Sequence, residues 1–144
     1  MARVAVLRPY CRGVEWSASV EIAVPPAAVW AVLSAVEDWP EWTPSVTSIV
    51  RVDPGPLHVG QRLRIRQPRF PATVWRLTEL VEERLCVWRA AAGVAARHSL
   101  GPSGGGTRMT LRMIQPAVIG LLTGRLTRRY LALETSGLKR RCER

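Results

Sequence analysis

From residue 47 to residue 115 the chain repeats one pattern six times: a short run in which apolar and polar residues alternate, closed by a turn signal. The runs cover 47–53, 61–67, 72–82, 85–91, 94–100 and 107–115. Pro54-Gly55-Pro56, Pro68, Glu83-Arg84, Gly93 and the 101–106 stretch punctuate them. A period of two puts successive side chains on opposite faces of a strand, and connections this short join antiparallel neighbours. At Pro116 the period changes. Ile119, Leu122, Leu126, Tyr130 and Leu133 then recur at steps of three or four, one face of a long helix of about six turns. A meander followed by one long helix has an economical solution, in which the helix lies across the apolar face of the sheet.

In front of the meander, Trp16, Ala18, Val20, Ile22 and Val24 alternate with Ser17, Ser19 and Glu21, which predicts a further half-buried strand. Pro25-Pro26 then marks a helix start, because a proline in the first turn gives up an N–H that has no partner there. Val29, Trp30, Val32, Leu33 and Val36 form its stripe, and it must stop before Pro40. A short irregular segment rich in tryptophan follows, from Trp39 to Val46. Residues 1–14 carry a weak pattern broken by Pro9, Cys11 and Gly13, and read as an arm or an extra strand. Residues 15–144 form one domain, long enough to bury a core of its own. The class is α+β.

Strand alternation sorts the faces. Leu63, Ile65 and Gln67 oppose Arg62, Arg64 and Arg66; Trp75 and Leu77 oppose Arg76 and Thr78; Met109, Leu111 and Met113 oppose Arg108, Thr110 and Arg112. The first group of each pair faces the helix. Ala96, His98 and Leu100 place His98 on the same concave side, where an imidazole serves as acid, base or polar anchor, or simply as a satisfied core residue. Glu79 follows Trp75 and Leu77 inward near a turn. Arg89 shares a face with Leu85 and Val87 opposite Cys86 and Trp88, and alternation does not decide which of those faces is inside. Gly120 and Gly124, one turn apart, each cost a helix about 1 kcal/mol against alanine. Either a close helix–sheet contact or room for a ligand offsets that cost.

The order of elements and the residues that punctuate it resemble the START-like (SRPBCC) superfamily, in its polyketide cyclase/dehydrase and lipid-transport-like branch. The matching pieces are the strand entering Val24-Pro25-Pro26-Ala27-Ala28-Val29-Trp30, the Trp39, Trp42, Pro44 and Val46 appendix, and Gly60-Gln61. The 77–88 hairpin with Trp88, the strand start 105–110 and the terminal helix complete the set. The resemblance implies a helix-grip fold, a curved antiparallel sheet wrapped around the long C-terminal helix, with a cavity for a small hydrophobic molecule such as a lipid or polyketide. If the sheet curves round the helix in this way, alternation and the helix stripe make Trp42, Leu63, Ile65, Trp75, Leu77, Arg89, His98, Met109, Leu111, Met113, Leu122 and Leu126 the candidate ligand contacts. Trp30 is expected in the core. A minority of the superfamily catalyses cyclisation or dehydration, and His98 is the candidate acid or base.

Other classes find little support. Cys11, Cys86 and Cys142 are odd in number and widely spaced, and with His58 and His98 they show no metal-ligand spacing. Gly104-Gly105-Gly106-Thr107 lacks the lysine and helix of a phosphate loop, and no nucleophile motif surrounds a serine. No cofactor or metal is expected. The N-terminal run is too short for a signal-peptide core and 117–122 too short for a membrane span, so a cytoplasmic protein is expected. The net charge of +10 comes from 20 arginines and a single lysine. Arg62, Arg64, Arg66, Arg76, Arg108 and Arg112 would line the outer sheet face. The alternative function is therefore an interaction protein that offers this face to an acidic partner, RNA or an anionic membrane.

Overall fold

The computed structural model describes the backbone of residues 3–10 and all of residues 13–144. Eight strands form one antiparallel sheet: β1 (Arg3–Tyr10), β2 (Gly13–Ile22), β3 (Ser48–Arg51), β4 (Arg62–Arg66), β5 (Thr73–Val81), β6 (Leu85–Arg89), β7 (Ala95–Ser103) and β8 (Gly106–Pro116). Their order across the sheet is β1-β2-β8-β7-β6-β5-β4-β3. The six runs of the meander are thus neighbours in space, and β2 closes onto the last of them. Helix α1 (Pro26–Ser34) and a 3-10 turn (Val36–Glu41) carry the chain from β2 to the far edge, and helix α2 (Ala117–Cys142) crosses the concave face. This is the helix-grip fold.

Proline starts α1 as the sequence predicts. Pro25 is extended at φ −63° and ψ 159°, and its carbonyl accepts from the N–H groups of Ala28 and Val29 at 3.0 and 3.2 Å. Val29, Trp30 and Leu33 are buried, Trp30 in the core. The turn that follows folds back on the helix: the Trp39 indole N–H donates to the Leu33 carbonyl at 2.9 Å. The ring centroids of Trp39 and Trp42 are 5.6 Å apart. The backbone of Trp42 in turn lies against α2 at Gly137, where an added Cβ would stand 2.1 Å from the Trp42 carbonyl oxygen.

Helix α2 is rolled relative to the expected stripe. Its buried line runs through Gly120, Gly124, Thr127, Leu131, Glu134 and Leu138. Leu122 is 82% exposed, and Leu126 and Leu133 are half-buried. The reason is distance. A Cβ at Gly120 would lie 2.8 Å from the Val14 Cβ, and one at Gly124 would lie 2.8 Å from the Trp16 ring. The helix rests its small residues on β2, and leucines on that face would hold it off. Of the two ways to offset the glycines, close contact is the one built here.

A second departure is a bulge. Register shifts on β5 between Leu77 and Glu79: Leu77 pairs with Trp88 and Glu79 pairs with Val87. The extra residue reverses the alternation, so Glu79 is exposed rather than inward. Trp88 shares the inner side with Leu77, and Arg89 pairs with Arg76 on the outside. Cys86 and Cys142 are free thiols, and Cys11 lies outside the described residues.

Helix propensity alone makes Gly137→Ala stabilising by about 1 kcal/mol. Overlap with the Trp42 backbone reverses the sign, and Gly137→Ala is expected to lower the unfolding free energy by about 2 kcal/mol. Equilibrium urea unfolding followed by tryptophan fluorescence measures it.

Candidate functional site

Helix α2 packs on β2 and β8 and diverges from the strands beyond them. The gap is a vestibule of about 370 Å³ leading to a constricted inner chamber of about 40 Å³. The mouth lies between the 70–71 loop, the 90–92 turn and the first turns of α2. Gln67, Trp75, Met113 and Glu134 line both spaces and mark the constriction. Around the vestibule stand Phe70, Ile119, Tyr130 and Leu131. Trp39, Trp88, Leu63, Ile65 and Leu111 wall the chamber. The walls are apolar and aromatic, with few polar groups, as ligand sites generally are.

Those few polar groups are organised. His98 on β7 is 2% exposed, and its Nε2 lies 2.7 Å from a carboxylate oxygen of Glu134 on α2. The Trp39 ring packs on the imidazole at 5.4 Å between centroids, and Cys86 is its cross-strand neighbour. Burial works against a charged imidazole, but the Cys86 sulfur and the Glu134 carboxylate outweigh it, and His98 is raised to about 10. The direction of the shift favours the imidazolium, which donates to Glu134. Among the described residues, the Trp88 indole nitrogen has no hydrogen-bond partner, and His98 Nδ1 has none of regular geometry, the Cys86 sulfur being the other polar group that interacts with the ring. Nearer the mouth, the Gln115 amide donates to Thr127 at 3.1 Å, and the Tyr130 hydroxyl donates to the Pro68 carbonyl. Both bonds tie α2 or its approach to the sheet.

Of the residues expected to touch a ligand, Leu63, Ile65, Trp75, His98, Leu111 and Met113 come together around the chamber. Leu77 and Met109 are wholly buried in the core and line neither space. Trp42 is buried against α2, beside an outer cleft with Gly137 and Arg140; Trp39 takes the position at the chamber. Arg89 points out of the sheet because of the β5 bulge, and Leu122 and Leu126 point away because α2 is rolled. Alternation missed Trp88, whose face the bulge decides, and Glu134. A signal for Glu134 existed: 120, 124, 127, 131, 134 and 138 step by four and three, and Glu134 is the one carboxylate on that line.

The arginines of the outer sheet face are placed as expected. Arg62, Arg76 and Arg89 stand directly across from one another on three strands, and Arg97 faces Arg112. Asp53 holds Arg62 at 2.9 Å, Glu21 holds Arg108 at 2.6 Å, and Glu15 lies 3.7 Å from Arg112. Glu82 and Glu83 lie away at the β5–β6 turn. Among the described residues no cluster of side chains could hold a metal ion, and no helix is long and apolar enough to cross a membrane.

Residues 14–143 match the protein family described as polyketide cyclase / dehydrase and lipid transport. No curated protein sequence matches the chain. Among solved structures, it is similar to the Zhui aromatase/cyclase from Streptomyces sp. R1128, with a TM-score of 0.76 at 14% identity over 92% of this chain and 94% of that one. It is similar also to TTHA0849 from Thermus thermophilus, with a TM-score of 0.70 at 20% identity over 89% and 96%. The third is Ara h 8.0201, with a TM-score of 0.63 at 12% identity over 88% and 97%. At these identities the likeness is one of fold.

The raised His98 gives a pH dependence with a definite sign. A group whose folded pKa exceeds its unfolded value stabilises the fold fully below the unfolded value, about 6.5 for histidine. That contribution is lost as pH rises toward about 10. Stability is expected to fall across this window by up to about 1.4 kcal/mol per pH unit, and Glu134→Gln is expected to flatten the fall. Urea midpoints measured at several pH values test both.

Proposed function

The chain belongs to the polyketide cyclase/dehydrase and lipid-transport family, and we propose from that premise that it holds a small apolar molecule in the space between the sheet and α2. The observation that carries this reading is the vestibule itself, an aromatic cleft that narrows onto a buried imidazolium–carboxylate pair. A ring or acyl body fills the vestibule. Each Å² of apolar surface removed from water there contributes about 25 cal/mol, and Trp75, Phe70 and Tyr130 supply flat faces for it. One polar end enters the chamber, where His98 and Trp88 carry N–H groups in need of an acceptor of regular geometry. A carbonyl or hydroxyl oxygen meets that need.

The same pair supports acid–base chemistry. A protonated imidazole carries an N–H that can be donated, and a donor aimed at a carbonyl or departing hydroxyl oxygen promotes cyclisation or dehydration of a bound chain. Glu134 holds the ring in place and balances its charge until the proton is transferred. A carrier needs only the anchor; a catalyst needs the proton as well. In both cases the ligand meets the same atoms.

Native mass spectrometry of freshly purified protein is expected to show a co-purified small molecule, and the emission of anilinonaphthalene sulfonate is expected to rise as the dye enters the vestibule. Ala96→Phe fills the chamber that Ala96 lines and is expected to displace the co-purified molecule. His98→Gln is expected to weaken its retention about tenfold, the loss of one charge-assisted hydrogen bond of about 1.4 kcal/mol. A protein that purifies empty and leaves the dye unaffected would sink the proposal.

A further inference from the structure

The roll of α2 that seats Gly120 and Gly124 on β2 turns the apolar residues of its first turns outward. Val118 is 70% exposed, Leu121 79% and Leu122 82%. At 100° per residue they share one side of the helix with Arg125, Arg128 and Arg129, one and two turns further on. Arg128 lies over the Trp16 ring at 4.9 Å. Among the described residues, Arg125 and Arg129 have no carboxylate partner within 4.0 Å. The face is therefore divided along its length, apolar at the tip and basic behind it.

This tip forms part of the rim of the vestibule. Ile119 on the same turn lines the mouth with Pro71, Ala91 and Ala92, and the last three are exposed. An added Cβ at Gly93 would lie 3.7 Å from the Pro116 ring, so the 90–93 turn and the start of α2 sit side by side. Basic charge predominates at this end, where Glu15 on β2 lies against Arg112 and Glu134 is turned into the vestibule. The segments 67–76, 89–98 and 115–133 contain Arg69, Arg76, Arg89, Arg97, Arg125, Arg128 and Arg129 and no Asp or Glu.

We infer that this rim docks the protein onto an anionic lipid bilayer, with Val118, Leu121 and Leu122 entering the interface and Arg125 and Arg129 meeting the headgroups. Arg129 follows Leu122 by seven positions, roughly 10 Å of helix at 1.5 Å per residue, so the arginines stand behind the apolar tip and not within it. Charge selects lipid over the other occupants. A second copy of the chain would set Arg125 and Arg129 against their own equivalents. A nucleic acid backbone would match the arginines but give two leucines and a valine no apolar partner. The docking stands on the rim alone; its use, to load or unload the vestibule directly from the bilayer, rests on the ligand-binding reading above.

Sedimentation of the full chain with vesicles tests it. Binding is expected to phosphatidylcholine vesicles containing phosphatidylglycerol, and to weaken as salt is raised. Pure phosphatidylcholine is expected to bind far less. The double variant Leu121→Asp with Leu122→Asp, at positions open to solvent, is expected to cut the bound fraction at least tenfold with an unchanged circular dichroism spectrum. Arg125→Glu with Arg129→Glu is expected to do the same, while Arg64→Glu with Arg66→Glu on the outer sheet face leaves binding intact. Dye uptake in solution by the leucine variant, and vesicle binding by Ala96→Phe, separate a failure of docking from a failure of the pocket. Undiminished sedimentation of the leucine variant overturns the inference. So does loss of binding in the Arg64 and Arg66 variant alone, or a dimer in sedimentation equilibrium that the leucine variant splits.

Discussion

The architecture turns on how closely α2 can approach β2. A helix normally stands some 8–10 Å from its neighbour, at a distance set by the side chains between them. Here Gly120 and Gly124 remove those side chains, and the helix rests on Val14 and Trp16. A helix held that tightly against one side of a curved sheet cannot be equally close to the other side. The strands from β4 to β6 are left facing a space, and aromatic residues from β5, β6 and the 3-10 turn only partly fill it. The vestibule is the geometric remainder of the glycine contact. At the other end of α2, Gly137 admits the Trp42 backbone and so fixes the end of the 3-10 turn that brings Trp39 over His98.

Within that frame the His98–Glu134 pair joins the sheet to the helix at the constriction. Two groups removed from water lose hydration that their mutual attraction only partly returns, and apolar replacements of similar shape are often as stable. Against an apolar pair of similar shape it therefore adds little stability, although removing its proton is costly. What it supplies is a fixed orientation and a proton in an otherwise apolar cleft, since Glu134 occupies one ring nitrogen and the other has no partner of regular geometry among the described residues. A site that keeps an unsatisfied donor in the interior bears a cost, and an acceptor oxygen placed in the chamber would relieve it.

How much of this was legible beforehand depended on which regularity each residue obeyed. Period-two alternation is robust where strands are regular, and Leu63, Ile65, Leu111, Met113 and His98 were placed on the inner face by it alone. It failed where β5 gains a residue. The bulge between Leu77 and Glu79 has no signature in a single sequence, and it decided the faces of Glu79, Trp88 and Arg89 together. On α2 the larger apolar residues suggested one stripe, and the close contact selected another. Hydrophobicity favours burying Leu122, but only a side chain as small as hydrogen fits at Gly120 and Gly124. Glu134 was missed for a related reason: a carboxylate on a buried helix line is recognisable only once that line is known.

The two misreadings of α2 have one physical origin. An amphipathic helix is usually read by asking which face is apolar, on the assumption that the apolar face is the buried one. In α2 the buried line is small and polar over its first half, and the apolar residues there face solvent. Such an inversion leaves exposed apolar surface uncovered beside the mouth of the cavity. Exposed leucines beside arginines on one helix face are costly for a protein that stays in water, because the apolar surface gains nothing there. They become favourable where a second apolar phase borders anionic charge. The contact that opens the vestibule and the exposed apolar surface beside its mouth are therefore consequences of a single rotation of α2, imposed by two glycines.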